Sequence, residues 1–226
     1  MESATPEAMP TAMEARRGPG RPRGFDRAAA LHAAMLTFWK HGFDGTSFTD
    51  LTEATGMSKP TLYATFGDKI NLFREAVVAY SELNAKTYEE ALNQPTAREA
   101  VEACLRLARG LDPKPGEPVV CFLVQGALTG SADTQELRDE LTALRRQATE
   151  QLQMRLERAQ REGDLAESVD TAVMAEYFAS LAVGLSVQAA GGATPAQLNQ
   201  VVKMAMAQWP GDVLPDGTLR QRAATS

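Results

Sequence analysis

Apolar residues recur at three- and four-residue intervals through most of the chain, a spacing that predicts helices rather than strands. From Asp26 to His41, Ala30, Leu31, Ala34, Met35 and Phe38 form one stripe, with Asp26 suited to the start and Gly42 to the stop. Trp39 belongs with core or interdomain packing, and Phe43 and Phe48 close the core of this first unit. A short helix from about Thr49 to Thr55 places Leu51 and Ala54 on one side. Beyond a second short helix, Leu72, Phe73, Ala76, Val77 and Tyr80 mark a long one from near Lys69 to about Leu92. Arg98 to Arg109 sets Val101, Cys104, Leu105 and Ala108 on one face, and residues 111–118 form a proline-rich loop.

The apolar run Val119 to Leu128 reads as a buried helix; a strand competes, but a lone strand lacks partners. From about Thr134 to Arg161 the stripe is Leu137, Leu141, Leu144, Ala148, Leu152 and Leu156, with Arg145, Arg146, Glu150 and Arg155 off it and Gly163 ending the helix. Asp170 to Ala190 is apolar almost all round, and Pro195 to Trp209 gathers Leu198, Val201, Val202, Ala205, Met206 and Trp209 on one side. A helix without a polar face must be covered on every side. In a body this small, a second subunit is the expected cover, and Ala175, Ala179, Ala182 and Gly184 let helices approach closely. The expected fold is therefore all-α, in a homodimer. No apolar run is read as reaching the roughly 18–20 residues that span a bilayer, so no membrane segment is expected.

The stretch FTDLTEATGMSKPTLYATFGDK, Phe48 to Lys69, adds chemistry to this pattern. Gly56 follows the first short helix and takes the left-handed conformation of a helix stop at little steric cost. Ser58 suits the N-cap of the next helix, and Pro60 its first turn, where a missing N–H is no loss. Leu62 and Phe66, four apart, face inward and leave Lys59, Thr61, Tyr63 and Thr65 pointing outward. Helix, glycine turn and polar second helix are the sequence form of a helix-turn-helix.

At these residues the chain resembles the tetracycline-repressor family of bacterial transcription regulators. The resemblance runs from about Gly20 to Ala76 and includes HGFDGTSF, the Gly56-Met57-Ser58 turn, TLYATF and GDKINLF. It departs from the family at Thr52 and Thr55, where alanine is usual, and at Ala64 and Thr65, where Tyr and His are common. The resemblance implies an N-terminal three-helix head that binds a palindromic double-stranded DNA operator, most often as a repressor. It places Lys59, Thr61, Tyr63 and Thr65 at the major groove or its phosphate walls, with Ser58 and Pro60 opening the same helix. Packing against the head's own core is the competing role for Tyr63, and Lys59 reads guanine or neutralises phosphate. Lys69, Thr46 and Thr49 suit phosphate contacts through side chains and helix N-terminal N–H groups.

Charge is segregated in the same sense. The chain carries −6 overall, yet residues 16–70 hold eight Lys or Arg against five Asp or Glu, a balance of +3. That excess is modest, so tight binding calls for two heads on one DNA molecule. Within ARRGPGRPRG, Arg16, Arg17, Arg21 and Arg23 alternate with Gly and Pro, which suits an arm in the minor groove or along phosphates; a solvated tail is the competing reading. The expected organisation is a disordered basic arm over 1–23, a head over 24–70, a ligand-binding and dimerisation body over 71–209 and a disordered tail over 210–226.

The body resembles the family's effector domain, which implies a small, mostly apolar molecule among its helices; Cys104, Phe122, Gln125, Met154, Tyr177 and Phe178 are candidates to line its pocket, with plain core as the competing role. Cys104 and Cys121 have no CxxC spacing and indicate neither a disulfide framework nor a zinc site, leaving oxidant sensing as a minor alternative. With only His32 and His41, a multi-histidine metal centre is not expected, nor is any cofactor. No phosphate-binding glycine loop, dinucleotide fingerprint, nucleophile elbow or HExxH occurs, so an enzyme has no residues to rest on. The N-terminus has acidic residues and no apolar segment of signal-peptide type, which points to a cytoplasmic protein. The alternative from another class is a helical ligand carrier or interaction module without specific DNA binding.

Overall fold

A computed structural model of the chain describes residues 26–108, 120–128 and 134–210, without the side chains of 127 and 128. The arm with Arg16, Arg17, Arg21 and Arg23, the proline-rich loop and the tail beyond Pro210 lie outside the described residues. Among those described, every regular element is a helix: α1 Arg27–Gly45, α2 Phe48–Thr55, α3 Lys59–Phe66, α4 Lys69–Leu92, α5 Ala97–Ala108, α6 Phe122–Leu128, α7 Gln135–Glu162, α8 Thr171–Ala190 and α9 Pro195–Ala207. Phe122–Leu128, within the run read as a helix or a strand, is a helix.

Local chemistry sets most of these ends. The Asp26 carboxylate accepts the N–H groups of Ala28 and Ala29, and Gly42 (φ 72°) breaks the helical path inside α1 as a stop should. Asp68, Asp170 and Thr194 cap α4, α8 and α9 through their side chains. Gly163, at φ 76°, ends α7.

Packing gathers the helices around two apolar cores. The first joins Phe38 and Trp39 of α1, Leu51 of α2, Leu62 and Phe66 of α3, Phe73 of α4, Phe122 of α6 and Leu137 and Leu141 of α7. The second joins Val101 and Leu105 of α5, Leu152 and Leu156 of α7, Phe178 and Leu185 of α8, and Val202 and Trp209 at α9. With 28 residues, α7 runs about 42 Å and belongs to both. The head is thus not packed alone, because α6 supplies part of its core. The Trp39 indole N–H donates to the Val120 carbonyl, and the Trp39 ring meets Tyr80 edge-on at 5.0 Å. On the other side of α6, the Ser186 hydroxyl of α8 accepts the Cys121 N–H at 2.8 Å. Gly126 lets α6 cross α7 closely, since a Cβ there would lie 2.8 Å from Leu141. Arg74 of α4 adds a tie to α7, its Nε 3.0 Å from both Glu140 carboxylate oxygens.

Three expectations need correction. Ala54 does not share the buried side of Leu51 but is exposed, because α2 is short and only Leu51 reaches the core. Arg155, expected off the stripe of α7, is only 5% exposed: it follows Leu152 by three residues and turns inward. Its Nε and Nη2 donate to the carbonyls of Leu92 (2.8 Å) and Gln94 (3.1 Å), which the end of α4 leaves open. Finally, α8 does meet the length and hydropathy of a membrane span (mean hydropathy 1.3). It buries Met174, Ala175, Phe178 and Leu185 in the second core and leaves Val173, Tyr177 and Val187 exposed.

Candidate nucleic-acid interface

The head's outer surface is assembled by the turn between α2 and α3. Ser47 caps α2, its hydroxyl accepting the Asp50 N–H at 3.2 Å while the Asp50 carboxylate accepts the Ser47 N–H at 2.7 Å. Gly56 then takes φ 68° and donates its N–H to the Thr52 carbonyl at 3.0 Å. Across that glycine, the Thr55 hydroxyl accepts the Met57 N–H at 3.2 Å while donating to the Leu51 carbonyl at 2.7 Å. Threonine at this departure from the family is therefore a turn brace. The Ser58 hydroxyl accepts the Thr61 N–H at 3.3 Å and opens α3, with Pro60 in its first turn.

With Leu62 and Phe66 buried, α3 presents Lys59, Pro60, Tyr63 and Ala64 outward. Tyr63 packs on the head and still reaches the surface. Its ring stacks on Phe48 at 4.9 Å, yet the residue remains 43% exposed. The Lys59 ammonium lies 4.7 Å from the Phe48 ring centroid and 5.9 Å from that of Tyr63. Ser58 and Thr49 are exposed, and Thr61 is half-buried, its hydroxyl 2.7 Å from that of Ser58. Thr65 is half-buried too, and its hydroxyl donates back to the Thr61 carbonyl at 2.7 Å. Lys69, at the start of α4, lies 4.5 Å from the Phe43 ring centroid. Partial burial draws its proton affinity below the ordinary lysine range, opposed by the carboxylates of Asp44 and Asp50.

Thr46 leaves this set as a side-chain contact. It is 1% exposed, and its hydroxyl donates to the Gly42 carbonyl at 2.7 Å, satisfying the group that the break in α1 frees. Ser47 and Phe48 join the set. Ser47 was legible in SFTD, an [ST]-x-x-[DE] capping signal directly before the helix. Phe48 was read as core closure, and nothing local in the sequence shows that its ring meets residues eleven and fifteen positions on.

The six candidates for an effector pocket are not brought together. Phe122 is buried in the first core and Phe178 in the second. Met154 and Tyr177 are exposed, and Cys104 and Gln125 half-buried. Among the described residues, Tyr177, Leu181, Val201 and Met204 line a groove between α8 and α9, and Val173 and Phe178 line another between α8 and the segment after α9, with Gln208 and Pro210. Sequence pattern marks residues as apolar and helical, but it does not say which of two cores they enter.

The family model for bacterial regulatory proteins of the tetR family matches residues 30–76, and that for the tetracyclin repressor-like C-terminal domain matches 97–205. The HTH-type transcriptional repressor ComR of Escherichia coli (strain K12) is 32% identical over 84% of this chain and 92% of its own. The uncharacterized HTH-type transcriptional regulator YezE of Bacillus subtilis (strain 168) is 29% identical over 70% of this chain and 83% of its own. Among solved structures, a cysteine mutant of the TetR family transcriptional regulator CifR, complexed with 26 bp of double-strand operator DNA, superposes with a TM-score of 0.80 at 38% identity, covering 84% of this chain and all of that one. The helix-turn-helix geometry and these matches along both head and body agree: the chain belongs to the TetR family of bacterial transcriptional regulators.

Proposed function

We propose that this regulator is a homodimeric repressor that binds a palindromic operator in the cytoplasm and lets go of it when a small effector binds the body. The observation that carries the reading is the outward face of α3, with Lys59, Pro60 and Tyr63 in a head whose relative CifR is solved on operator DNA. Thr49, Ser58 and Lys69, with the first N–H groups of α2, supply further phosphate contacts. Arg21 and Arg23 extend the footprint as an arm.

Dimerisation is supported by the α8–α9 face, where Val173, Tyr177, Val201 and Met204 stand exposed side by side. Effector control is supported by α6, which touches both cores' helices and so links body to head. An effector shifts DNA affinity only as far as it binds the two head spacings differently. The first core and its ties are spent on packing, and no role in catalysis is proposed for any residue.

Fluorescence anisotropy of the full-length protein on DNA from around its own gene, across a salt series, tests the reading. The expected result is tight, salt-sensitive binding to one short inverted repeat. Weak binding that ignores sequence, and that is unchanged by removing Lys59 and the arm, would favour the ligand-carrying or interaction module instead.

A further inference from the structure

We propose that Phe48 is a positioning residue for DNA binding, its ring holding Lys59 and Tyr63 together as a single contact to the DNA backbone. The inference rests on the DNA-binding reading and assigns a role within it. Phe48 is the first residue of α2, half-buried against the first core. Its ring lies nearly parallel to that of Tyr63, 25° apart in plane and 4.9 Å between centroids, and the Lys59 ammonium rests 4.7 Å from its centre. Lys59 and Tyr63 already neighbour each other at i and i+4 on α3. The ring adds a wall from another helix and fixes both on the side of α3 that leans toward the start of α2.

That direction decides between the two roles open to Lys59. A lysine reading guanine must reach out freely from α3 into the groove. A lysine drawn over aromatic rings at the α2–α3 seam is held back against the head instead, which suits a phosphate contact. Among the described residues Lys59 makes no ion pair, so its charge is available to an anion. The nearest carboxylate of α2's first turn, Asp50, is held by the Ser47 N–H and hydroxyl, each at 2.7 Å. A side chain that already rests on a ring loses less rotamer freedom when it takes a phosphate, and that is how Phe48 contributes without touching DNA.

Anisotropy titrations of the full-length protein against two labelled probes test this: a mixed-sequence duplex pool, and the duplex that the wild-type protein enriches from that pool. Phe48→Leu keeps an apolar side chain against the head and removes the ring. It is expected to weaken binding to both probes alike, by about threefold at each head, the worth of an exposed cation–ring contact. Phe48→Tyr is expected to restore it. Lys59→Met is expected to weaken both probes and to lower the slope of log K against log salt by about 0.9 at each head. Combined, the two substitutions should weaken binding by less than the product of their separate effects, because Phe48 acts through Lys59. A full product, an unaffected Phe48→Leu, or a Lys59→Met loss confined to one base pair would overturn the proposal. Lys59 is exposed, so the Lys59→Met arm remains decisive even where Phe48→Leu fails to fold. A wild-type protein that binds neither probe would overturn the DNA-binding reading itself.

Discussion

Asp50 closes the first turn of α2 by accepting both the Ser47 hydroxyl and the Ser47 N–H, and these bonds hold its carboxyl below the usual value of 3.8. A folded value below the unfolded one means that the charged cap stabilises the head above pH 3.8 and that this contribution is lost as pH falls through the lower folded value. Asp50→Asn should therefore lower the unfolding midpoint at neutral pH, with the gap to wild type closing only in strong acid; a gap that persists there would mean that charge is not the cause. Cys104 behaves in the opposite way. Burial pushes its thiol up to about 12, so at neutral pH it is protonated and a poor nucleophile. Iodoacetamide should label Cys104 slowly in the native protein and readily once denaturant unfolds it, as peptide mass spectrometry would show. Labelling at the rate of a free cysteine would return Cys104 to the oxidant-sensing alternative.

At the scale of elements, α6 carries more than its seven residues suggest, because it completes the head's core and the Cys121 N–H just before it donates to the Ser186 hydroxyl of α8. Trp39→Phe keeps a ring in the first core and removes the donor to the Val120 carbonyl, which is itself buried. The expected loss is about 1–3 kcal/mol in urea denaturation, the cost of an acceptor left without its partner. A loss within error would show that ring packing alone joins α6 to the head. The extent of α1 to α4 was legible because their ends are chemically local: Asp26, Gly42, Gly56, Ser58 with Pro60, and Asp68 each act within a few residues. What escaped the sequence was long-range. Arg155 looked like a surface charge since its acceptors, Leu92 and Gln94, lie about sixty residues earlier in the chain. Phe122 looked like a pocket residue since its partners Trp39, Phe73 and Tyr80 come from α1 and α4. At α3 the turn and periodicity made Lys59, Pro60 and Tyr63 legible as exposed, whereas Thr61 and Thr65 are half-buried, the Thr65 hydroxyl turned back to the Thr61 carbonyl, and Thr46 is buried where a break in α1 freed a carbonyl for it to satisfy.

For the whole molecule, the decisive surface is the outer face of α8 and α9. Met204 and Val173 are each 66% exposed, and the grooves along α8, one against α9 and one against the segment after it, are lined mainly by apolar side chains. Contiguous apolar surface of this kind marks an interaction site, and a second copy of the chain supplies an equally apolar partner in an isologous contact. Replacing both residues, as Val173→Glu with Met204→Glu, places carboxylates on that face and leaves the second core untouched. The variant is expected to sediment as a monomer where wild type sediments as a dimer, while keeping its helical circular dichroism. DNA binding must then fall for a reason separate from any contact. Two linked heads placed about 34–36 Å apart occupy successive major grooves, and the second binds at the effective concentration set by the first. Monomers forgo that gain, so operator affinity should drop by about 10²–10⁴, and the slope of log K against log salt should fall to about half as one head's phosphates replace two. A variant that is monomeric yet binds the operator as tightly as wild type would show that one head suffices; a variant that stays dimeric would place the subunit contact away from α8 and α9.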